Sequence, residues 1–157
     1  MDKPLKQRVY IFLSHSHQDI DKVRVLRNYL ESLNTEPIMF FLLSLTDKDA
    51  ITELIENEID ARLWFIYCDS ENARNSNWVK TEIQIAKKLG KTNFITFDLD
   101  TMFDKDSLKL EAKRYLAEYA NNIFKLKKIF LSYSNKDRYL VLPITHELSK
   151  FGIEFFF

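Results

Sequence analysis

Two short stretches of this chain carry residue types that could do chemistry. In "NSNWVKTE" (residues 75–82), polar residues lead into a helix, and Trp78 and Glu82 stand one turn apart. Residues i and i+4 share a helix face, so ring and carboxylate border one surface. A flat ring there can stack on a heteroaromatic base, and a carboxylate can bond ribose hydroxyls or stabilise developing positive charge. Spacing alone fits, more simply, a Trp packed on the core beside a solvated Glu. In "SHSHQD" (residues 14–19), Ser, His and Asp crowd together as if for nucleophilic chemistry. Sequence neighbours at a strand end alternate faces, whereas a catalytic triad joins residues converging from separate elements. The stretch reads as a polar loop turning a strand into a helix, its serine hydroxyls bonding local backbone.

Other chemistries find little support. His15, His17 and His146 form no spaced cluster with cysteine or paired carboxylates, so no metal site is expected. Cys68 is the only cysteine, which excludes an internal disulfide and fits a reducing, cytoplasmic setting. At the end of an apolar strand it reads as a small buried hydrophobe. Only Gly90 and Gly152 are glycines, too few for a glycine-rich phosphate loop. Lys plus Arg equals Asp plus Glu at 23 each, so neither nucleic acid nor an anionic membrane is an expected partner. "KLKK" (125–128) lacks interleaved aromatics and reads as a solvated linker face. The N-terminal apolar run is too short for a signal peptide, and no apolar stretch is long enough to span a bilayer.

The elements that must position these residues follow from hydrophobic periodicity. The 157 residues suit a single core, with 46% hydrophobic and 29% charged residues as in ordinary globular proteins. "RVYIFLS" (8–14), "PIMFFLLS" (37–44), "LWFIYC" (63–68) and "NFITFDL" (93–99) read as buried strands. Between them lie helical patterns: Val23, Leu26, Leu30 and Leu33 behind Asp19 as N-cap; Ile51, Leu54, Ile55 and Ile59; and residues 77–90, closed by Gly90. Nearly continuous apolar strands alternating with amphipathic helices predict a parallel sheet covered on both faces, with ligands outside the strands' carboxyl ends. Residues 107–126 predict a further helix. Beyond it "IFLSHSHQD" (11–19) returns as "IFLSYSNKD" (129–137), and the match continues without gaps from Val23 with Val141 to Glu36 with Glu154. Such a repeat signals a duplicated unit. The segment is expected to be the stub of a longer protein, since a strand, a helix and a partial strand cannot bury their own apolar faces.

"IFLSHSHQD" followed by a helix, "FFLLSLTDKDAI", and "SNWVKTE" after the strand "LWFIYC" together resemble the bacterial branch of the Toll/interleukin-1 receptor (TIR) domain family. The resemblance implies a flavodoxin-like open parallel sheet with helices on both faces. It divides the chain into a TIR domain at 1–100, a connecting helix at 101–126, and the truncated start of a second TIR-type repeat at 127–157. For the enzymatic members it implies cleavage of the nicotinamide–ribose bond of NAD, as substrate and not as cofactor. The catalytic glutamate of the family's Ser-x-Trp-x-x-x-Glu pattern falls on Glu82, with Ser76 and Trp78 as its companions. The polar box after the first strand falls on Ser14, His15 and Ser16. The resemblance further implies prokaryotic antiviral defence signalling and homotypic self-association. The chain departs from the pattern after its second strand, where Leu42 and Leu43 replace a common Asp and Asp47-Lys48 a common Pro-Gly. That departure keeps a second reading open, a non-enzymatic scaffold that self-associates. A receiver-type phosphoacceptor is disfavoured, because the first strand ends in Ser-His-Ser instead of paired carboxylates for Mg²⁺.

Overall fold

The computed structural model describes residues 9–40, 48–91, 93–125, 128–149 and 154–156. The chain divides into a larger compact unit, Arg8–Ala120, and a second unit that includes Asn121–Phe157. In the larger unit, β1 (Val9–Ser14), β2 (Thr35–Met39), β3 (Trp64–Asp69) and β4 (Phe94–Asp98) form one sheet in the order β2-β1-β3-β4. Every pairing is parallel, with Ile11 beside Pro37 on one side and Trp64 on the other. The expected strand residues 41–44, and the departures Leu42, Leu43 and Asp47, lie outside the described residues.

Burial explains why these runs are strands. β1 and β3 are central, and Ile11, Phe12, Leu13, Phe65, Ile66 and Cys68 are all buried. Strands covered on both faces are apolar throughout instead of alternating. The helices around the sheet are α1 (Ile20–Ser32), α2 (Lys48–Asp60), α3 (Glu71–Asn75), α4 (Asn77–Lys88) and α5 (Leu110–Lys125). Among the described residues, no helix is long and apolar enough to cross a membrane. α1 buries Val23, Leu26 and Leu30, and α2 buries Ile51, Ile55 and Ile59. Leu54, expected in the stripe of α2, faces solvent, one residue out of the i, i+4, i+8 row. Phe12, Phe65, Ile85 and Ala86 pack in one cluster with the three isoleucines. Within it Phe12 stacks on Phe65 at 5.5 Å and Phe65 on Phe94 at 4.9 Å. Each such ring contributes roughly 1.5–3 kcal/mol on burial.

Local chemistry sets the helix ends. Asn34 takes the left-handed conformation (φ 63°) just past α1, which asparagine tolerates better than most side chains. Gly90 does the same past α4 at φ 66°. Asp19 precedes α1, but its side chain makes no capping bond there. The cap belongs to Ser16, whose Oγ accepts from the Gln18 N–H at 3.3 Å and starts a 3₁₀ turn over His17–Asp19. That leaves the Asp19 carboxylate available to other elements. A small antiparallel pair, β5 (Phe103–Asp104) with β6 (Ser107–Leu108), precedes α5, and β6 takes the first two residues of the helix expected over 107–126. α5 buries Ala112, Leu116 and Ala120 in the larger unit, and Tyr119 meets Trp64 edge-on at 5.2 Å.

The second unit contains β7 (Lys128–Phe130), a 3₁₀ turn at Asn135–Asp137, α6 (Arg138–Ser149) and β8 (Glu154–Phe156). Its parallel pairs Ile129–Phe155 and Phe130–Phe156 repeat Ile11–Pro37 and Phe12–Ile38 of the first unit at the same sequence offset. Ser134 caps its turn with φ −73° and ψ 143°, against −73° and 141° at Ser16. The sequence repeat is therefore also a repeat of strand register and turn geometry.

Candidate active site

From β1 the chain crosses to β2 on one side, and β3 then pairs on the other side. At such a switch point the connections leave in opposite directions and open a crevice outside the strands' carboxyl ends. Ser14, the last residue of β1, pairs with Tyr67 of β3 at this crevice. One wall comes from the loop after β1 and the other from α3 and the start of α4. Between them lies a cavity of about 460 Å³, lined by His15, Ser16, His17 and Gln18 on one side and Asn72, Asn75, Ser76 and Trp78 on the other.

Ser76 is the N-cap of α4, its Oγ accepting from the Val79 N–H at 3.3 Å. Trp78 follows in the first turn and Glu82 one turn later. Val79, Glu82, Ile85 and Ala86 are the buried residues of this helix, so Glu82 occupies its apolar stripe. Ser14 Oγ donates to Glu82 Oε2 at 2.5 Å. The Trp78 side chain adjoins the same carboxyl. Glu82 is 2% exposed and Trp78 37%, the reverse of a buried ring beside a solvated acid. Burial dominates the titration of Glu82 and pushes its pKa up to about 8, while the Ser14 hydroxyl and then the Trp78 side chain act in the opposite direction. The carboxyl is thus largely neutral near pH 7. It is held by Ser14 and is not among the described residues lining the cavity.

His15 Nδ1 contacts the Leu13 carbonyl oxygen at 2.9 Å. A carbonyl only accepts, so Nδ1 carries the proton and Nε2 is the basic nitrogen. Burial lowers the pKa of His15, which keeps the ring neutral at physiological pH. His15 and Ser16 are both buried at the cavity edge. All six residues singled out by sequence, Ser14, His15, Ser16, Ser76, Trp78 and Glu82, thus gather at one crevice. Cys68 lies nearby, but burial first and then the Glu82 carboxylate push its thiol far up, leaving it a packing residue.

Four further residues, Asp19, Ser70, Asn72 and Asn75, join the site without the sequence having assigned them to it. Asp19 accepts from Ser70 Oγ at 2.5 Å and from Asn72 Nδ2 at 2.8 Å, tying the loop after β1 to α3. Ser70 also caps α3 through the Ala73 N–H at 2.9 Å. Asn75 lines the cavity beside Ser76. The polar run "DSENARNSN" directly after an apolar strand was the available signal, because in open parallel sheets that position faces the ligand crevice.

Trp78 lines a second cavity of about 280 Å³ as well, with Ile51, Thr52, Ile55, Asn77 and Thr81. Its ring therefore borders both a polar and a more apolar hollow. Among curated proteins none matches this chain. The model of the TIR domain family matches residues 11–122, from the middle of β1 through most of α5, and so takes in most of β1, all of β2, β3 and β4, and both walls of the crevice. A match across well over half of the chain, on a four-stranded parallel sheet with helices around it, establishes that the chain belongs to the TIR domain family.

Proposed function

We propose that this domain cleaves the bond between nicotinamide and ribose in NAD, as a glycohydrolase or a cyclase, with Glu82 acting on the ribose. TIR domains include NAD-cleaving enzymes and signalling modules. The observation that carries the enzymatic reading here is the convergence of Ser14, Trp78 and Glu82 beside a polar cavity at the switch point. In this reading the Trp78 ring stacks on a base of the dinucleotide. Neutral nicotinamide departs and leaves an oxocarbenium-like ribose, which a carboxylate stabilises electrostatically while holding the ribose hydroxyls. Water attack then yields ADP-ribose, and attack by an adenine nitrogen yields a cyclic product. Glu82 must be ionised for this. Movement of Trp78 that admits water or substrate removes the desolvation that keeps the carboxyl neutral, and so generates the anion on opening.

NAD serves as substrate in this reading, with no separate cofactor, in the cytoplasm and in prokaryotic antiviral defence signalling. Self-association through like domains is the step that opens the site. The shared register of the second unit supports the view that residues 127–157 begin a second TIR-type repeat. The test is to incubate the full chain with NAD, with and without an assembly trigger, and to follow nicotinamide release. Activity surviving Glu82→Ala undiminished would sink the role given to Glu82.

The burial of Glu82 favours a second reading, a scaffold that self-associates without turnover. Association of chains with Glu82 intact and no nicotinamide release under any trigger would decide for it.

A further inference from the structure

One amide in the cavity wall is oriented from the opposite wall. Asn72 Nδ2 donates to Asp19 Oδ1 at 2.8 Å, while Ser70 Oγ donates to Asp19 Oδ2 at 2.5 Å. Asp19 is buried. A carboxylate only accepts, so the Asn72 amide is held one way round, with its NH₂ toward Asp19 and its carbonyl turned away. Asn72 lines the cavity of about 460 Å³. A freely rotating amide could offer a ligand either a donor or an acceptor; this one keeps its carbonyl as an acceptor. The two carboxylate bonds are charge-assisted and correspondingly strong, so the orientation is set before any ligand arrives.

We propose that Asn72 is a specificity-determining residue of the cavity, its carbonyl accepting a hydrogen bond from an O–H or N–H of the bound nucleotide, and that Asp19 is the positioning residue that fixes it. The inference rests on the NAD reading above. NAD carries two sources of such a donor, its ribose hydroxyls and the carboxamide N–H of nicotinamide. Both present the same chemistry to Asn72, and an analogue with an acetyl group in place of the carboxamide separates them.

The experiment is steady-state NAD turnover by the full chain and its variants, with thermal melts to confirm folding. Asn72→Leu keeps the size and removes the acceptor, and is expected to raise KM about tenfold with kcat held within about threefold, the effect of one lost ligand hydrogen bond. In Asp19→Leu the Asn72 NH₂ loses its acceptor, so the amide is no longer held one way round and KM should rise by a similar factor. The double swap D19N/N72D restores an acceptor on the cavity side and should bring KM back to within about threefold of the wild type. Persistence of the Asn72→Leu penalty with the acetyl analogue assigns the donor to a ribose hydroxyl, and its disappearance assigns it to the carboxamide. An unchanged KM for NAD in folded Asn72→Leu, with the wild type active, overturns this inference alone. Absence of both NAD binding and turnover in the wild type overturns the NAD reading and this inference with it.

Discussion

Ser14 Oγ, at the carboxyl end of β1, donates a 2.5 Å hydrogen bond to Glu82 Oε2 on α4, 68 positions further along the chain. The bond joins the central strand to the helix that borders the cavity, and it opposes the burial that holds Glu82 near a pKa of about 8. In the unfolded chain the same carboxyl titrates near 4.5. A raised folded pKa means that the folded state binds the proton more tightly. This contribution to stability is therefore complete below about 4.5 and is lost as pH rises to about 8. Thermal melts of the full chain between about pH 5 and 9 should show Tm falling with pH. Glu82→Gln, which cannot ionise, should flatten that fall. Equal slopes in the two proteins would show that Glu82 is not buried and neutral as described.

Removing the Ser14 hydroxyl deletes the larger of the two side-chain influences that pull the Glu82 pKa down. Ser14→Ala should therefore move the titration of Glu82 to still higher pH. It should also cost about 1–2 kcal/mol of stability above pH 8, where a buried carboxylate is left short of a donor. Trp78 fluorescence followed against pH reads the shift, because its ring adjoins the same carboxyl. A midpoint at or below that of the wild type would contradict the geometry.

Catalysis should depend on Glu82 far more than folding does. Glu82→Ala is expected to reduce nicotinamide release by at least ~10²-fold, the scale for loss of a group that stabilises developing charge. Glu82→Gln should fold at least as well as the wild type at pH 8 and be similarly inactive. Trp78→Phe keeps a stacking surface and loses the indole N–H, so it should retain more activity than Trp78→Ala. The reverse order would remove the ring from the substrate site.

The larger unit should stand without residues 127–157. Its core lies within Arg8–Ala120, and α5 supplies Ala112, Leu116 and Ala120 to it. In the second unit Ile144 is 55% exposed, although its counterpart in the internal repeat, Leu26, is fully buried. Leu140 and Leu142 are exposed as well, an apolar surface that favours association. A chain ending at residue 126 should melt within a few degrees of the full chain and scatter less light. Unfolding or increased aggregation of the shortened chain would make the C-terminal segment part of the first domain.

What could be read from sequence was whatever local periodicity reports. The apolar runs expected as strands stand as the central strands Val9–Ser14 and Trp64–Asp69, and the rows Val23-Leu26-Leu30 and Ile51-Ile55-Ile59 face the core, because burial imprints its period on residues close in sequence. Spacing suggested a solvated Glu82 beside a buried Trp78, whereas in the structure Glu82 joins the buried stripe Val79, Ile85, Ala86. Which of ring and carboxylate is buried was not visible. That depends on Ser14, which becomes a neighbour of α4 only because β1 lies at the centre of the sheet beside β3. Asp19 shows the same limit: its position suits an N-cap, yet Ser16 supplies the cap and Asp19 turns to Ser70 and Asn72 across the crevice. In this protein, residue type and spacing along the chain determined the elements and nominated the reactive groups. Their partners, burial and charge state were decided by strand order, since hydrogen bonding and desolvation act through space and not along the chain.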